Sequence, residues 1–169
     1  MRILITLTVG SAGRPSRLVS LDQIIEAYRI LQASGIEVVI ASSRSESPSV
    51  RGSGDRSRTT SSIQRIPSDR RARDAINDPL KFEQIHPEDF DGAISISALD
   101  EPADPHDAEV VLSLFKALLA AGKPVAIVPN ELELEPLGVF EGLLITGNGM
   151  RAPSLATKAV LAALSQSGR

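Results

Sequence analysis

Short apolar runs alternate with longer stretches of helical periodicity along most of this chain. Residues 3–9, 36–41, 91–97, 125–128 and 143–146 form apolar runs of strand length, and turn-forming residues bound several of them. A strand that is covered on both faces, as in a parallel sheet, has this pattern because neither face needs polar side chains. The runs therefore predict a mostly parallel sheet.

Helical periodicity lies between these runs. We predict one helix that follows the first strand and ends at Gly35, a second that Asp104 caps and that ends at Gly122, and a third that Pro153 opens. Their predicted core positions recur at helical spacing: Leu21, Ile24, Ile25, Tyr28 and Leu31; Val110, Val111, Leu114, Phe115 and Leu118; and Leu155, Val160 and Leu164. Strands that alternate with helices indicate parallel βαβ units. The predicted fold class is thus α/β, a three-layer sandwich with helices on both faces of the sheet.

Composition limits the kind of protein. A chain of 169 residues with 42% hydrophobic residues predicts a single domain over residues 1–169. A net charge of −3 argues against nucleic-acid binding, and no apolar run approaches the roughly 20 residues that span a membrane. We expect a cytoplasmic protein because no signal-peptide pattern is found, and frequent arginine and alanine indicate a GC-rich bacterial genome. The segment at about residues 42–69 is rich in Ser and Arg and predicts a mobile surface loop.

Four segments of the chain resemble a known family. The strings ILQASGIEVVIAS, EDFDGAISI, LLAAGKPVAIV and LLITGNG occur in the order and spacing typical of the ThiJ/PfpI superfamily, also called the DJ-one superfamily, and the chain is most similar to its heat-shock glyoxalase-like branch. The resemblance covers nearly the whole chain. It implies a flavodoxin-like fold related to class I glutamine amidotransferases and a homodimer. It also implies a site in which most members use a cysteine at a sharp strand-to-helix turn.

The sequence departs from that family at each position that the resemblance assigns to catalysis. Pro129 corresponds to the cysteine, Asn130 to the usual histidine and Glu131 to the usual glycine. The acidic partner of the thiol corresponds to Gln23, and the glycine pair that helps to form the oxyanion hole corresponds to residues 97–98. The chain contains no cysteine. The family's thiol mechanism is therefore absent.

Proline also changes the backbone at this position. An elbow nucleophile sits in a strained conformation, in this family with positive φ, whereas proline is fixed at a φ of about −65°. Residues 131–135 then alternate Glu and Leu before Pro136, as an extended segment would. We therefore predict an extended or irregular segment in place of the elbow and its helix.

Three residues are candidates for acid/base catalysis: Glu131, His106 and Asp100. Glu131 lies where the rebuilt segment is expected to face the pocket, and a partly desolvated carboxylate there could act without a covalent intermediate. His106 and Asp100 belong to the acidic stretch after a strand, and open α/β sheets bind ligands at the carboxyl ends of their strands. The alternatives are a shielding role for Glu131 and helix capping or solvation for the others.

Five residues are candidates for substrate binding: Gln23, Asn130, Ser97, Arg14 and Arg17. The Gln23 amide could hold a substrate, although a capping box with Ser20 explains this glutamine equally well. Arg14 and Arg17 follow the first strand and could bind an anionic group, with surface solvation as the alternative. No metal site and no cofactor are predicted.

Two functional hypotheses remain open. In the first, the chain is an enzyme that keeps the family pocket and acts on a small metabolite by noncovalent acid/base chemistry, as a lyase, isomerase, cyclase or hydratase. In the second, it is a catalytically silent relative that binds a small molecule or a protein partner, or acts as a chaperone. Convergence of at least two of the candidate residues on one concave site would favour the first.

Overall fold

The computed structural model describes residues 1–8, 21–42, 74–75, 78–97, 105–128, 143–147 and 151–167. Within these ranges six parallel strands form one sheet in the order β3-β2-β1-β4-β5-β6. The strands are β1 (Arg2–Thr8), β2 (Glu37–Ser42), β3 (Leu80–Lys81), β4 (Gly92–Ser97), β5 (Val125–Val128) and β6 (Leu144–Thr146). The helices are α1 (Leu21–Ala33), α2 (Pro105–Ala120) and α3 (Ala152–Ser167), and two short 3-10 helices, Phe82–Gln84 and Pro87–Asp89, precede β4.

Helices cover both faces of the sheet. On one face, α1 and α3 pack on the odd-numbered residues of β1, such as Ile3 and Ile5. On the other, α2 packs on a cluster that includes Leu4, Ala93 and Phe115. Successive residues of β1 thus enter opposite cores, which explains why the strand is apolar throughout. The predicted three-layer α/β sandwich is confirmed.

The predicted strands and helices agree with the structure to within about two residues at their ends, the usual uncertainty of such boundaries. Sequence reasoning missed β3, which has two residues, and placed Ser42, the last residue of β2, in the loop. The prediction that Leu155 lies in the core is wrong, because its side chain is 62% exposed. The buried face of α3 is instead set by Ala152, Ala156, Val160 and Leu164, whose four-residue spacing leaves Leu155 outside it.

Glycine ends α1 and α2 as predicted. Gly35 and Gly122 have φ values of +71° and +72°. The Ile36 amide donates to the Leu31 carbonyl at 3.2 Å and the Gly35 amide donates to the Gln32 carbonyl at 2.9 Å, which is a Schellman motif. The same pair of bonds ends α2. Each motif turns the chain directly into the next strand.

Polar contacts fix the amino-terminal ends of the central strands. The Arg2 amide donates to Asp91 Oδ2 at 2.7 Å, and the Asp91 amide donates to the Arg2 carbonyl at 2.8 Å. The Arg2 guanidinium lies 5.3 Å from the centroid of the Phe90 ring, and its Nε is 3.2 Å from Glu37 Oε1. That Nε is buried and has no hydrogen-bond partner among the described residues, so its contact with Glu37 is an ion pair. These contacts support the register between β1, β2 and β4.

The start of β4 lies against the turn before β5. The Ala93 amide donates to the Pro124 carbonyl at 3.0 Å, and Lys123 Nζ donates to the Pro87 carbonyl at 3.1 Å. A Cβ on Gly92 would lie 2.7 Å from the Pro124 carbonyl oxygen, closer than real contacts allow. Glycine is therefore required at position 92 by close backbone approach.

We expect Gly92→Ala to lower the free energy of unfolding by about 2–3 kcal/mol, because backbone rather than a flexible side chain must move. Gly122→Ala is the matched control. A Cβ there meets nothing within 4 Å, so only the left-handed backbone is penalised, by about 1 kcal/mol. Urea unfolding of both variants measures the difference. Equal losses would show that the approach of Pro124 is not a constraint.

In the part of the chain that the structure describes, no helix combines the length and apolar character needed to cross a membrane.

Candidate functional site

The candidate site lies at the carboxyl edge of the sheet. Because the strands are parallel, β1 ends at this edge with Thr8, β4 with Ser97 and β5 with Val128. The connection from β1 leads to β2 on one side, and the connection from β4 leads to β5 on the other. The topological switch point is therefore between β1 and β4, where open α/β sheets form a ligand-binding crevice.

Ser97 and Gln23 are two predicted binding residues whose backbone the structure describes. Ser97 is the last residue of β4 and is the register partner of Thr8, so its backbone borders the switch point. Gln23 is in the first turn of α1. That turn is at the end of α1 nearer the carboxyl edge, since the other end leads through Gly35 into the start of β2.

His106 is the second residue of α2 and its side chain is exposed. The helix that carries it covers one face of the sheet, whereas α1, which carries Gln23, covers the other. These two candidates thus approach the carboxyl edge from opposite faces. Their convergence on one ligand remains a prediction.

The other candidates lie outside the described residues: Asp100, Asn130, Glu131, Arg14 and Arg17, together with Pro129 at the family's nucleophile position and most of the predicted loop at residues 42–69. In sequence, Pro129 directly follows the last residue of β5, and Asp100 is three positions after the last residue of β4. Their assigned roles, and the irregular segment expected at residues 131–135, stay predictions.

Sequence reasoning missed a pair of hydroxyl residues inside the sheet. Thr6 of β1 and Ser95 of β4 are register partners, and both side chains are 0% exposed. Among the described residues, neither Thr6 Oγ1 nor Ser95 Oγ has a hydrogen-bond partner. A buried hydroxyl without a partner costs about 1–3 kcal/mol. The signal was present as single polar residues in the otherwise apolar strings ILITL and GAISI, but their pairing is visible only in the folded sheet.

The described ranges contain no group of three or more His, Asp or Glu side chains placed to hold an ion. The candidate residues assigned to this edge carry hydroxyl, amide, carboxylate, imidazole and guanidinium groups. These groups can donate, accept or transfer protons without a covalent intermediate.

Neither a protein-family model nor a curated protein sequence matches this chain, but solved structures do. The Rapid Encystment Protein 24 kDa of Francisella tularensis is 11% identical, with 97% of this chain and 99% of that chain covered and a TM-score of 0.63. A ThiJ/PfpI domain protein of Brachyspira murdochii is 14% identical, with 98% and 96% covered and a TM-score of 0.62. Glyoxalase III of Candida albicans is 11% identical, with 96% of each chain covered and a TM-score of 0.60.

At identities this low, the similarity establishes the fold and leaves the function open. The three matches span nearly the whole of both chains, and they include the superfamily that the sequence strings resemble. The resemblance is therefore confirmed at the level of architecture: this chain, which has no cysteine, has the fold of the ThiJ/PfpI superfamily.

Proposed function

We propose that this chain is a cysteine-independent enzyme of ThiJ/PfpI fold that acts on a small metabolite by noncovalent acid/base chemistry. The reaction is of the lyase, isomerase, cyclase or hydratase type. Such reactions move protons at carbon and oxygen, and a positioned carboxylate or imidazole can catalyse them without a nucleophile. We further propose that the protein acts as a cytoplasmic homodimer.

The observation that carries the proposal is a ThiJ/PfpI fold in a chain without cysteine. The sheet keeps its switch point between β1 and β4, the place where α/β folds of this kind bind small molecules. In sequence, polar residues follow the strands that end there: Asn130 and Glu131 after β5, and Asp100 after β4. A site that had only lost function could equally have filled with apolar side chains.

The proposed roles follow from residue chemistry. Glu131, His106 and Asp100 transfer protons, since carboxylate and imidazole groups are the usual general acids and bases. Gln23, Asn130 and Ser97 orient the substrate by hydrogen bonds. Arg14 and Arg17 bind an anionic substituent, for which guanidinium groups are well suited.

A second candidate is a catalytically silent protein that binds a small molecule or a partner chain, or acts as a chaperone. Replacement of the cysteine, histidine and glycine positions by Pro129, Asn130 and Glu131 favours it. The acidic position is also lost, because Gln23 is uncharged. The two candidates predict the same fold and differ in whether a bound compound is converted.

A thermal-shift screen of the purified protein against a metabolite library tests the proposal. A compound that binds only the folded state at about 100 times its Kd adds about 2.7 kcal/mol of stability, which corresponds to a rise in Tm of about 5–10 °C for a chain of this size. Each stabilising compound is then incubated with the protein and followed by NMR.

Conversion of a stabilising compound would support the enzyme. Stabilising compounds that all remain unchanged would show that the protein is a binder. If no metabolite raises the Tm, the small-molecule proposal fails and a protein partner becomes the better explanation.

A further inference from the structure

Thr6 and Ser95 interrupt the apolar core of the two central strands. Both side chains are fully buried, and neither hydroxyl oxygen has a hydrogen-bond partner in the described ranges. Their strand neighbours Ile5, Leu7 and Ile94 are apolar and also buried. Valine and alanine have nearly the shapes of threonine and serine but carry no hydroxyl group that needs a hydrogen-bond partner. Buried polar groups are normally hydrogen-bonded, and exceptions to such a rule are expected at functional sites.

The pair lies on the two strands that flank the switch point. Thr6 is two residues before the end of β1 and Ser95 is two residues before the end of β4. Both share the face of Leu4 and Ala93, the face that α2 covers, because side chains two residues apart in a strand lie on one face. The hydroxyls are therefore two residues in from the carboxyl edge of the sheet beside the switch point, on the face opposite α1.

Strand geometry separates the two hydroxyls by a distance that one oxygen atom between them can bridge. Neighbouring strands are about 4.8 Å apart, so two hydroxyls on one rung can both donate to a single oxygen between them at about 2.7–2.8 Å. A single oxygen would satisfy both hydroxyls at once. Since both side chains are fully buried, hydrogen bonds from them to that oxygen would be strong, because bulk water would not compete for the same groups.

We propose that Thr6 and Ser95 form a subsite that binds one oxygen atom of a carboxylate or carbonyl group of a small-molecule ligand, with both hydroxyls donating. We take that ligand to be the substrate, and this is the one point that rests on the proposed function. A protein that binds the ligand without converting it would use the subsite in the same way. Because the pair is fully enclosed, the surrounding side chains must move apart to admit the oxygen. An ordered water is the competing source of the same oxygen.

The test compares Tm values with and without defined probes. The probes are acetate and pyruvate, which carry acceptor oxygens, and methylammonium, a small ion without one. The variants are Thr6→Val and Ser95→Ala, which remove one hydroxyl each and nearly keep its shape. Thr6→Ser keeps the hydroxyl. Thr157→Val is the matched control, because Thr157 is buried but its hydroxyl donates to the Pro153 carbonyl at 2.7 Å within α3.

We expect acetate or pyruvate, but not methylammonium, to raise the Tm of the wild-type protein. The rise should be lost in Thr6→Val and Ser95→Ala, with Kd increased about 10-fold or more for each hydroxyl removed. It should persist in Thr6→Ser and Thr157→Val. Without probe, Thr6→Val and Ser95→Ala should unfold at or above the wild-type Tm, because each removes a buried hydroxyl that has no hydrogen-bond partner among the described residues.

Several results would overturn the subsite. One is that no oxygen-bearing probe raises the wild-type Tm, and another is that the rise survives in both hydroxyl-free variants. A drop in Tm of Thr6→Val and Ser95→Ala without probe, together with a bridging water in a crystal structure, would assign the pair to a structural water. Failure of the proposed catalysis would give a different result from failure of the subsite. Acetate or pyruvate would still raise the Tm, but no metabolite would be converted.

Discussion

Purified protein is expected to leave methylglyoxal unconverted. The glyoxalase activity that the family resemblance implies depends on a cysteine thiolate, and this chain has no sulfur nucleophile because it contains no cysteine. A serine or threonine does not replace it without an adjacent base and a strained elbow, and Pro129 is incompatible with that elbow. Loss of methylglyoxal and formation of lactate, followed together, should equal the rates in buffer alone.

The positive control for this assay is the Candida albicans glyoxalase III, whose fold this chain shares. A second control is the Pro129→Cys variant, which restores a thiol at the family position. We expect no turnover from it either, because the family resemblance assigns Gln23 to the position of the acidic partner and Glu131 to that of the glycine. Turnover well above the buffer rate by the unmodified protein, which has no cysteine, would refute the argument that conversion of methylglyoxal in this fold requires a thiolate.

The second large effect is expected from Glu131→Gln. With a substrate identified by the thermal-shift screen, the variant should lower kcat by about 100- to 10,000-fold, the range that removal of a general acid or base produces. Glutamine keeps the size and hydrogen-bonding shape of glutamate but cannot take or give the proton. The ligand-induced rise in Tm should therefore be largely kept while turnover is lost.

Glu133→Gln is the matched control for that experiment. It removes the same charge from the same segment at a position two residues away, and its kcat should stay within about 2-fold of wild type because the proposal assigns proton transfer to Glu131 and not to Glu133. If both variants lose activity equally, the effect is one of local charge or structure. If Glu131→Gln keeps full kcat, Glu131 is not the proton-transfer group and the role passes to Asp100 or His106.

Much of the fold could be predicted because its signals are local. Near-continuous apolar strands such as Val125–Val128 and helix-ending glycines such as Gly35 depend on a few neighbouring residues each. The position of Leu155 could not be predicted in the same way. Its exposure follows from how α3 is rotated against the sheet, and in a helix rich in alanine the apolar pattern does not define one face.

The candidate site was predictable only in part. Residues that follow a strand, such as Asn130, can be assigned to the carboxyl edge once a parallel sheet is predicted. The pairing of Thr6 with Ser95 could not be anticipated, because each looks like an isolated polar residue in its own strand. The subsite depends on β1 and β4 being neighbours in the sheet, and that is set by the strand order.

The sequence by itself determined that this protein has no cysteine thiol. It also predicted strands that are buried on both faces, as the central strands β1, β4 and β5 are, and, through the family resemblance, it predicted Pro129 at the nucleophile position. These follow from residue identity and from short-range pattern. Only the tertiary structure decided that β1 lies beside β4, which side of α3 is buried, and that two buried hydroxyl residues, neither with a hydrogen-bond partner in the described ranges, are register partners inside the sheet. The reason is that strand order and register depend on packing between segments that are distant in the chain, and a local sequence pattern does not specify that packing.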